Sequence, residues 1–343
     1  MEFPEIFFVD AGEDEHDAAN ALASRLEEVG ISTPLVLSSR HAAALTAALP
    51  GRHLDAPARA DQAWASELGA LARRDGLDAI VAVGGGRRLD VAKLAAARAG
   101  VVNVAVPTQL SHDGICSPVA VVPDDKGIAE SLGAVAPRAV VISLPTLAQA
   151  PVASIAAGIG DLLANPLALR DWALAADRGL DEIDERAWDL STEAFETIEP
   201  VLSQDLSSEQ MEAGFLRRVA DALVMSGMSM ICSGTSRPAS GGEHEISHAI
   251  DELFGGRALH GAQVAFGCLV SAHLYDEDVS AFRRRLRALG LPQHPGDLGF
   301  DLDDTVRVLL AAPDTRPGRF TIIEDANLDE GAARALIRAI WPD

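Results

Sequence analysis

The sequence is poor in basic residues, and lysine is nearly absent. It contains 28 Lys and Arg against 51 Asp and Glu, for a net charge of -23, and Lys93 and Lys126 are its two lysines. A protein that binds nucleic acid presents a basic face, so this charge argues against that class of partner. It does not exclude an anionic substrate, because a metal ion and local dipoles can reverse the field inside a cleft.

Cysteine pairs and long apolar runs are also missing. Cys116, Cys232 and Cys268 have neither paired nor metal-ligand spacing, so we expect reduced, mostly buried thiols. No apolar run approaches the roughly 18 residues of a membrane span. No basic segment of the kind that opens a signal peptide follows Met1. We therefore expect a cytoplasmic protein without membrane insertion.

The first half of the chain alternates short apolar runs with helical periodicity. The 343 residues exceed one typical core and predict two domains. The continuous apolar run 79–83 is typical of a buried parallel strand, and further strands are predicted at 6–10, 33–38, 101–106 and 139–143. Strands that alternate with helices predict a Rossmann-like α/β domain with a parallel sheet over residues 1–150.

Two stretches of this half carry no strong pattern. Residues 50–61 are predicted to be a polar linker, and residues 107–137 mostly loop with a hairpin near 124–125. A helix is predicted over 41–49.

After Pro145 the strand patterns end and an all-α domain is predicted over residues 151–343. A short extended piece is predicted at 321–324. The predicted helices are 146–156, 161–176, 183–202, 208–231, 242–253, 260–275, 278–289, 302–311 and 329–340.

A glycine turn follows the predicted strand 79–83. Gly84, Gly85 and Gly86 let the backbone approach a phosphate, and the next helix offers free N–H groups and the positive end of its dipole. The turn lacks the G-x-G-x-x-G fingerprint, so a simple tight turn remains an alternative.

The loop after the next strand concentrates polar residues. Thr108, Ser111, His112, Asp113 and Ser117 lie within ten residues. Loops at the carboxyl ends of adjacent parallel strands open into one crevice, which is the usual ligand site. Capping of the loop backbone by the hydroxyls is the alternative.

Two imidazoles and one carboxylate form a candidate metal set in the second half. His244 and His248 are four residues apart on a predicted helix and share one face. Asp161 and His244, with His260 at the start of the next helix, would supply three ligands and leave one position open, as in catalytic metal sites. The alternatives are ordinary polar residues at a helix end and, for Asp161, a helix N-cap.

Five segments, in their order and spacing, resemble the sn-glycerol-1-phosphate dehydrogenases. That family belongs with the glycerol dehydrogenases, iron-containing alcohol dehydrogenases and dehydroquinate synthases. The segments are 84–93 (GGGRRLDVAK), 106–118 (VPTQLSHDGICSP), 158–161 (GIGD), 236–248 (SRPASGGEHEISH) and 259–261 (LHG), with a weaker likeness at 319–324 (RFTIIE).

The resemblance implies a metal-dependent reduction of dihydroxyacetone phosphate to sn-glycerol 1-phosphate by NADH or NADPH. It also implies the residues that perform it. NAD or NADP would be held by Gly84, Gly85, Gly86, Asp90, Thr108, Ser111 and Ser117; zinc or another divalent metal by Asp161, His244 and His260; and the substrate by Asp113, Asp161 and His248.

Two further roles complete this reading. Arg237 is a candidate for the substrate phosphate, with pairing to an acidic neighbour as the alternative. His248 would orient a hydroxyl or relay a proton, because imidazole titrates near neutral pH. We expect a homo-oligomer.

The sequence also departs from the family. Ala262 stands where the family usually has Glu, and Gly242 where it usually has Ser. Reduction of another ketone or sugar derivative therefore stays open.

A cyclase similar to dehydroquinate synthase would need more basic residues than Lys93 near the cleft. Arg40, after the second predicted strand, would favour NADP if it reached the adenosine ribose, but NADH and NADPH are not distinguished.

Overall fold

The computed structural model describes residues 2–10, 15–38, 42–55, 60–202 and 212–342, with backbone alone at 15–17. Its first part is built on a six-stranded sheet in the order β1-β8-β5-β4-β2-β3, and every neighbouring pair is parallel. The strands of this sheet are β1 (Glu5–Val9), β2 (Leu35–Ser38), β3 (Arg52–Asp55), β4 (Ala79–Gly84), β5 (Val102–Pro107) and β8 (Ala139–Ser143).

Both faces of the sheet are covered by helices. Along β4, Ile80 and Ala82 pack into one hydrophobic cluster while Val81 and Val83 pack into another. A strand buried on both faces needs apolar residues at every position, which explains the continuous apolar run. The covering helices are α1 (Glu15–Glu28), α2 (Ala43–Thr46), α3 (Gln62–Arg74) and α4 (Gly86–Ala99).

Three details of the sheet part differ from or extend the sequence predictions. The predicted linker 50–61 contains β3, an edge strand whose sequence RHLD is mostly exposed and so lacks an apolar pattern. The helix predicted over 41–49 is four residues long, and His41 lies outside the described residues. The predicted hairpin is confirmed as the antiparallel pair β6 (Val119–Pro123) and β7 (Ala129–Gly133).

Only helices follow β8 in the described part of the chain, and the predicted fold class is confirmed. They are α5 (Leu144–Leu147), α6 (Val152–Leu162), α7 (Asn165–Asp177), α8 (Glu185–Ile198), α9 (Ala213–Ser233), α10 (Gly242–Phe254), α11 (His260–Leu274), α12 (Val279–Ala288), α13 (Leu302–Ala311), α14 (Ile322–Ala326) and α15 (Glu330–Ile340). One hydrophobic cluster runs from the sheet into these helices, so the division into domains at residue 150 stays a prediction.

Helix α11 is the centre of the helical part. It is buried from Gly261 to Ala272 and packs against α6, α10 and α12. A helix surrounded on all sides is apolar all round, as this one is.

The extended piece predicted at 321–324 is wrong. Thr321 caps the N-terminus of α14, and Glu324 completes a capping box with it. This motif satisfies free backbone N–H groups at the start of a helix, so a short polar-apolar stretch becomes helical rather than extended.

By length and composition, the segment Val152–Asp177 could cross a membrane. It comprises α6 and α7, and 83% of its most apolar window is buried inside the fold. Core helices of soluble proteins pass the same test, so this burial accounts for its apolar composition.

Candidate active site

Three side chains from three helices converge at one point. Asp161 lies in the last turn of α6, His244 in the first turn of α10, and His260 is the first residue of α11. Asp161 Oδ1 is 3.5 Å from His244 Nε2 and 3.8 Å from His260 Nε2. The N-cap alternative for Asp161 is therefore wrong, because this residue ends one helix instead of beginning the next.

The chemistry of this group fits a divalent metal ion. The three possible ligand atoms all lie within 4.8 Å of one another. Asp161 Oδ2 accepts a hydrogen bond from the backbone N–H of Asp113, whereas the buried Oδ1 has no hydrogen-bond partner. An unsatisfied buried carboxylate oxygen is costly, and a cation between the three atoms would satisfy it. Two imidazole nitrogens and one carboxylate are ligands that zinc accepts.

Each histidine is oriented through its other ring nitrogen. His244 Nδ1 donates to Glu243 Oε1 at 2.9 Å, and His260 Nδ1 lies 3.3 Å from the hydroxyl of Ser247. These contacts turn both Nε2 atoms towards Asp161. Such partners fix the tautomer and raise the basicity of a ligating imidazole.

The two histidines differ in protonation. Burial opposes a charge on His244, but the neighbouring carboxylates of Asp161 and Glu243 outweigh burial and raise its pKa to about 9. Burial and the nearby charge of His244 lower the pKa of His260 to about 3, against the opposing effect of Asp161.

Replacement of Glu243 by Gln tests this orienting role. Glu243 is fully buried, and the same Oε1 also accepts from the backbone of Gly241, so the isostere preserves shape and removes charge. We expect zinc affinity to fall by about 10- to 100-fold. Competition with a chelator measures it. An unchanged affinity would show that Glu243 serves only to hold the start of α10.

Asp171 on α7 binds the N-terminus of α10, the helix that carries His244. Its Oδ2 accepts from Gly242 N at 2.8 Å, and its Oδ1 accepts from Ile322 N at 2.7 Å and from the Tyr275 hydroxyl at 2.6 Å. Burial and the charge of Glu243 raise its pKa to about 7. One carboxyl group thus accepts a backbone N–H at the N-terminus of α10 and another at the N-terminus of α14, where helices lack internal acceptors.

The structure also accounts for the two departures from the family pattern. A Cβ on Gly242 would lie 2.7 Å from Ile323 Cγ1, so glycine lets α14 pack closely against α10. Ala262 is buried and offers no carboxylate. Here the Ser247 hydroxyl contacts Nδ1 of His260 and orients its ring. The same hydroxyl accepts a hydrogen bond from Gln263 Nε2 at 3.4 Å.

Asp113 lies beside the three candidate ligands. Besides its backbone contact with Asp161, its Oδ2 accepts from the Ser226 hydroxyl at 2.9 Å. Burial and the charge of Asp161 raise its pKa to about 7. A carboxyl group that titrates near neutral pH can bind a hydroxyl or exchange a proton with it.

His248 faces the same space, but its environment differs from the expected one. Its ring centroid is 6.5 Å from that of His244 and 6.0 Å from that of His260. Its Nε2 lies 2.8 Å from Arg316 Nη2, and a guanidinium can only donate, so Nε2 accepts. Burial and the charge of Arg316 lower the pKa of His248 well below its usual value. A neutral His248 favours the predicted role of orienting a hydroxyl over that of relaying a proton.

The charge of Arg237 is already paired inside the protein. The residue is 5% exposed, its Nε pairs with Asp181 at 2.7 Å, and its Nη1 donates to the carbonyl of Phe320 at 2.7 Å. The structure therefore favours the alternative of pairing with an acidic neighbour.

Two other arginines, to which the sequence assigned no role, reach the site instead. Arg316 and Arg319 lie in the loop before α14, and both donate to the hydroxyl of Ser236, at 3.0 and 2.8 Å. No periodic pattern marks this loop, so only the fold brings it to the histidines. Its basic residues and the weaker family likeness at 319–324, which begins with Arg319, are the sequence signals that could have indicated it.

The glycine turn packs against the loop that carries Asp113. Gly84 ends β4, and Gly85 precedes α4 without any side-chain cap. A Cβ on Gly86 would lie 2.1 Å from His112 Nε2, so His112 keeps this position only because residue 86 has no side chain. The ring of His112 is also 6.0 Å from that of His260, centroid to centroid. His112 thus connects the turn to the candidate metal ligands.

A cavity of about 320 Å³ opens beside the carboxyl ends of β5 and β8. Its polar lining residues include Thr108, Gln109, Ser143 and Thr146. Of these, Thr108 is a predicted cofactor residue, and the other three were not singled out from the sequence. The cavity is in the place where doubly wound folds bind a nucleotide.

Other predicted cofactor residues have internal partners. Asp90 forms a buried ion pair with Lys93 at 2.8 Å, and Lys93 in turn donates to the carbonyl of Gly114. The Ser117 hydroxyl donates to the carbonyl of Val119, and Ser111 is buried in the same loop. Asp90 and Ser117 thus support the loop, and their contact with the cofactor stays a prediction. Ser39 and Arg40 lie outside the described residues.

Known proteins share this fold and sequence pattern. The family described as iron-containing alcohol dehydrogenase matches residues 15–151. The glycerol-1-phosphate dehydrogenase [NAD(P)+] of Cenarchaeum symbiosum (strain A) is 35% identical over 266 residues, 78% of this chain and 73% of that protein. The enzyme of the same name from Methanocorpusculum labreanum (strain ATCC 43576 / DSM 4855 / Z) is 32% identical over 336 residues, 96% of this chain and 92% of that protein.

The chain belongs to the glycerol-1-phosphate dehydrogenase family. A solved structure with the same fold is that of a probable glycerol dehydrogenase from Sinorhizobium meliloti 1021. It has a TM-score of 0.79 and 25% identity, and the alignment covers 99% of this chain and 97% of that one. The family resemblance inferred from the five segments is confirmed.

Proposed function

We propose that this chain reduces dihydroxyacetone phosphate to sn-glycerol 1-phosphate with NADH or NADPH in a metal-dependent reaction. The observation that carries the proposal is the convergence of Asp161, His244 and His260 beside the glycine turn. It occurs in a chain 32% and 35% identical to proteins named glycerol-1-phosphate dehydrogenase [NAD(P)+].

The dinucleotide would bind along the carboxyl edge of the sheet. The backbone of Gly85 and Gly86 and the uncapped N-terminus of α4 suit its pyrophosphate. Thr108 and Gln109 line the cavity next to this turn. His112 lies between the turn and His260, so the reacting end of the cofactor would face the candidate metal ligands.

The reaction transfers a hydride from the reduced nicotinamide to the keto carbon and a proton to the keto oxygen. A divalent metal held by Asp161, His244 and His260 would polarise the carbonyl as a Lewis acid. Asp113, with a pKa raised to about 7, would bind a substrate hydroxyl and exchange its proton. His248, which is neutral and whose Nε2 already accepts from Arg316, would donate a hydrogen bond from Nδ1–H to a substrate oxygen.

The rival activities remain distinguishable from this one. The expected shortage of basic residues near the cleft no longer argues against a cyclase, because Arg316 lies 2.8 Å from His248. The relatives named dehydrogenase favour reduction over cyclisation. Reduction of a different small ketone is the remaining alternative. A cytoplasmic location and a homo-oligomeric state stay predictions, as does the absence of a nucleic-acid partner.

One assay tests the proposal. Zinc-loaded protein is mixed with dihydroxyacetone phosphate and NADH or NADPH, and cofactor oxidation is followed with and without prior chelation. We expect oxidation that depends on the ketone and on the metal, with sn-glycerol 1-phosphate as the product in chiral analysis. The opposite enantiomer, or cofactor oxidation with other ketones alone, would contradict the proposal.

A further inference from the structure

Two guanidinium groups meet at one hydroxyl next to His248. Arg316 Nη1 and Arg319 Nη2 both donate to Ser236 Oγ. Arg316 Nη2 donates to His248 Nε2, and Arg319 Nη1 donates to the backbone carbonyl of Ser240. Each guanidinium has five N–H groups, and these contacts use two of them. The other three N–H groups of each guanidinium have no hydrogen-bond acceptor among the described residues.

Neither arginine forms an ion pair with another described residue. Within the described ranges, no carboxylate oxygen lies within 4.0 Å of either guanidinium, although both side chains are partly buried. Burial and the charges of Arg316 and Arg237 lower the pKa of Arg319 to about 10. Partly buried like charges repel one another and lose hydration, and this is costly without a counter-ion.

Glu245 does not pair with either arginine in the described part of the chain. Its Oε2 accepts from the Thr321 hydroxyl at 2.9 Å, while its buried Oε1 has no hydrogen-bond partner. The two guanidinium groups therefore lie side by side without a carboxylate of the described residues in ion-pair contact.

We propose that Arg316, Arg319 and the Ser236 hydroxyl bind the phosphate group of the substrate and select phosphorylated ketones over unphosphorylated ones. The inference rests on the proposed function. Guanidinium groups bind phosphate through paired, charge-assisted hydrogen bonds, and a phosphate monoester offers three terminal oxygens and close to two negative charges near neutral pH. A carboxylate has two oxygens and one charge, so it would leave one of these donors unmatched.

The position of the pair suits a three-carbon phosphate ester. His248 lies between the arginines and the candidate metal ligands, with its ring 6.0 Å from that of His260 and its Nε2 on Arg316. A substrate whose carbonyl lies at the metal ligands would pass along His248 and place its phosphate at Ser236. An unphosphorylated ketone would leave both guanidiniums unpaired, so selectivity follows from the same contacts.

Single replacements, Arg316→Gln and Arg319→Gln, test the assignment in the zinc-loaded enzyme. We expect kcat/KM for dihydroxyacetone phosphate to fall by about 10- to 100-fold in each, mainly through KM. We expect kcat/KM for unphosphorylated dihydroxyacetone to change by less than about 2-fold, because it lacks the charge that the arginines bind. The control is Arg307→Gln, an exposed arginine on α13 that pairs with Asp304 and should change neither value. Equal losses for both ketones, or none for the phosphorylated one, would overturn the assignment.

Binding of inorganic phosphate gives a readout without turnover. By calorimetry, wild type should bind phosphate, and the Arg316→Gln, Arg319→Gln double variant should not. If the double variant fails to fold, Ser236→Ala replaces it, with a several-fold loss expected because one hydroxyl donor is removed. Equal phosphate binding in wild type and variant would overturn the site. If wild type binds phosphate but does not reduce dihydroxyacetone phosphate, the proposed function fails while an arginine-dependent phosphate site stands.

Discussion

Replacement of His260 by Ala is expected to abolish metal binding and to lower kcat/KM by about 10³-fold or more, with the fold retained. The loss follows because one of three ligands disappears and Lewis-acid activation is worth several kcal/mol. The fold should survive because the side chain is 27% exposed and its Nδ1 contact with Ser247, at 3.3 Å, is long. Zinc content and steady-state kinetics on the purified protein measure both effects.

The matched control for this experiment is His273→Ala. His273 lies in the last turn of the same helix, α11, away from the candidate ligands. We expect it to keep zinc and full activity. Full activity in a metal-free His260→Ala protein would rule out the metal-dependent scheme, whereas retained zinc with lost activity would assign His260 a role other than coordination.

Replacement of Gly261 by Ala is expected to destabilise the protein and disrupt the metal site together. A Cβ at this position would lie 1.9 Å from the backbone oxygen of Ala157 and 3.1 Å from Asp161 Cβ. Since the closest atom is backbone, α11 must move away from α6. Overpacking of this kind costs about 1–3 kcal/mol or more in the free energy of unfolding. The same displacement separates His260 from Asp161.

Thermal denaturation and zinc content together test the Gly261 prediction. We expect a melting temperature lower by roughly 1–2 °C per kcal/mol lost in a chain of this length, with reduced zinc. Gly214→Ala on α9 is the control, because its Cβ would meet no atom of the described residues within 4 Å and the change should be neutral or slightly stabilising. A Gly261→Ala protein with wild-type melting temperature and zinc content would show that α11 accommodates the methyl group.

The glycines near Asp161 show why one helix boundary was mispredicted. The Gly-Ile-Gly run looked like a break before a helix that begins at Asp161. In the structure it belongs to α6, where a Cβ on Gly158 would lie 2.2 Å from the Leu110 backbone oxygen and one on Gly160 would lie 2.6 Å from that of Gly261. The glycines serve close helix packing, which local propensity does not reveal.

The sequence by itself determined the fold class and the residue types of the candidate metal site. Continuous apolar runs that alternate with helices predicted the parallel sheet, because strands buried on both faces exclude polar residues. The order and spacing of the five segments indicated the family, and Asp161, His244 and His260 were among their residues. These features are local in the chain, so they can be read along it.

Only the tertiary structure decided which polar groups face the site and which support it. Arg237 and Asp90 look available in the sequence, yet each has an internal ionic partner in the fold. Arg316 looks like an ordinary loop residue, yet folding places it against His248, 68 positions away in the chain. A charged side chain binds a ligand only if the fold leaves its donors without an internal partner, and that depends on contacts between distant segments.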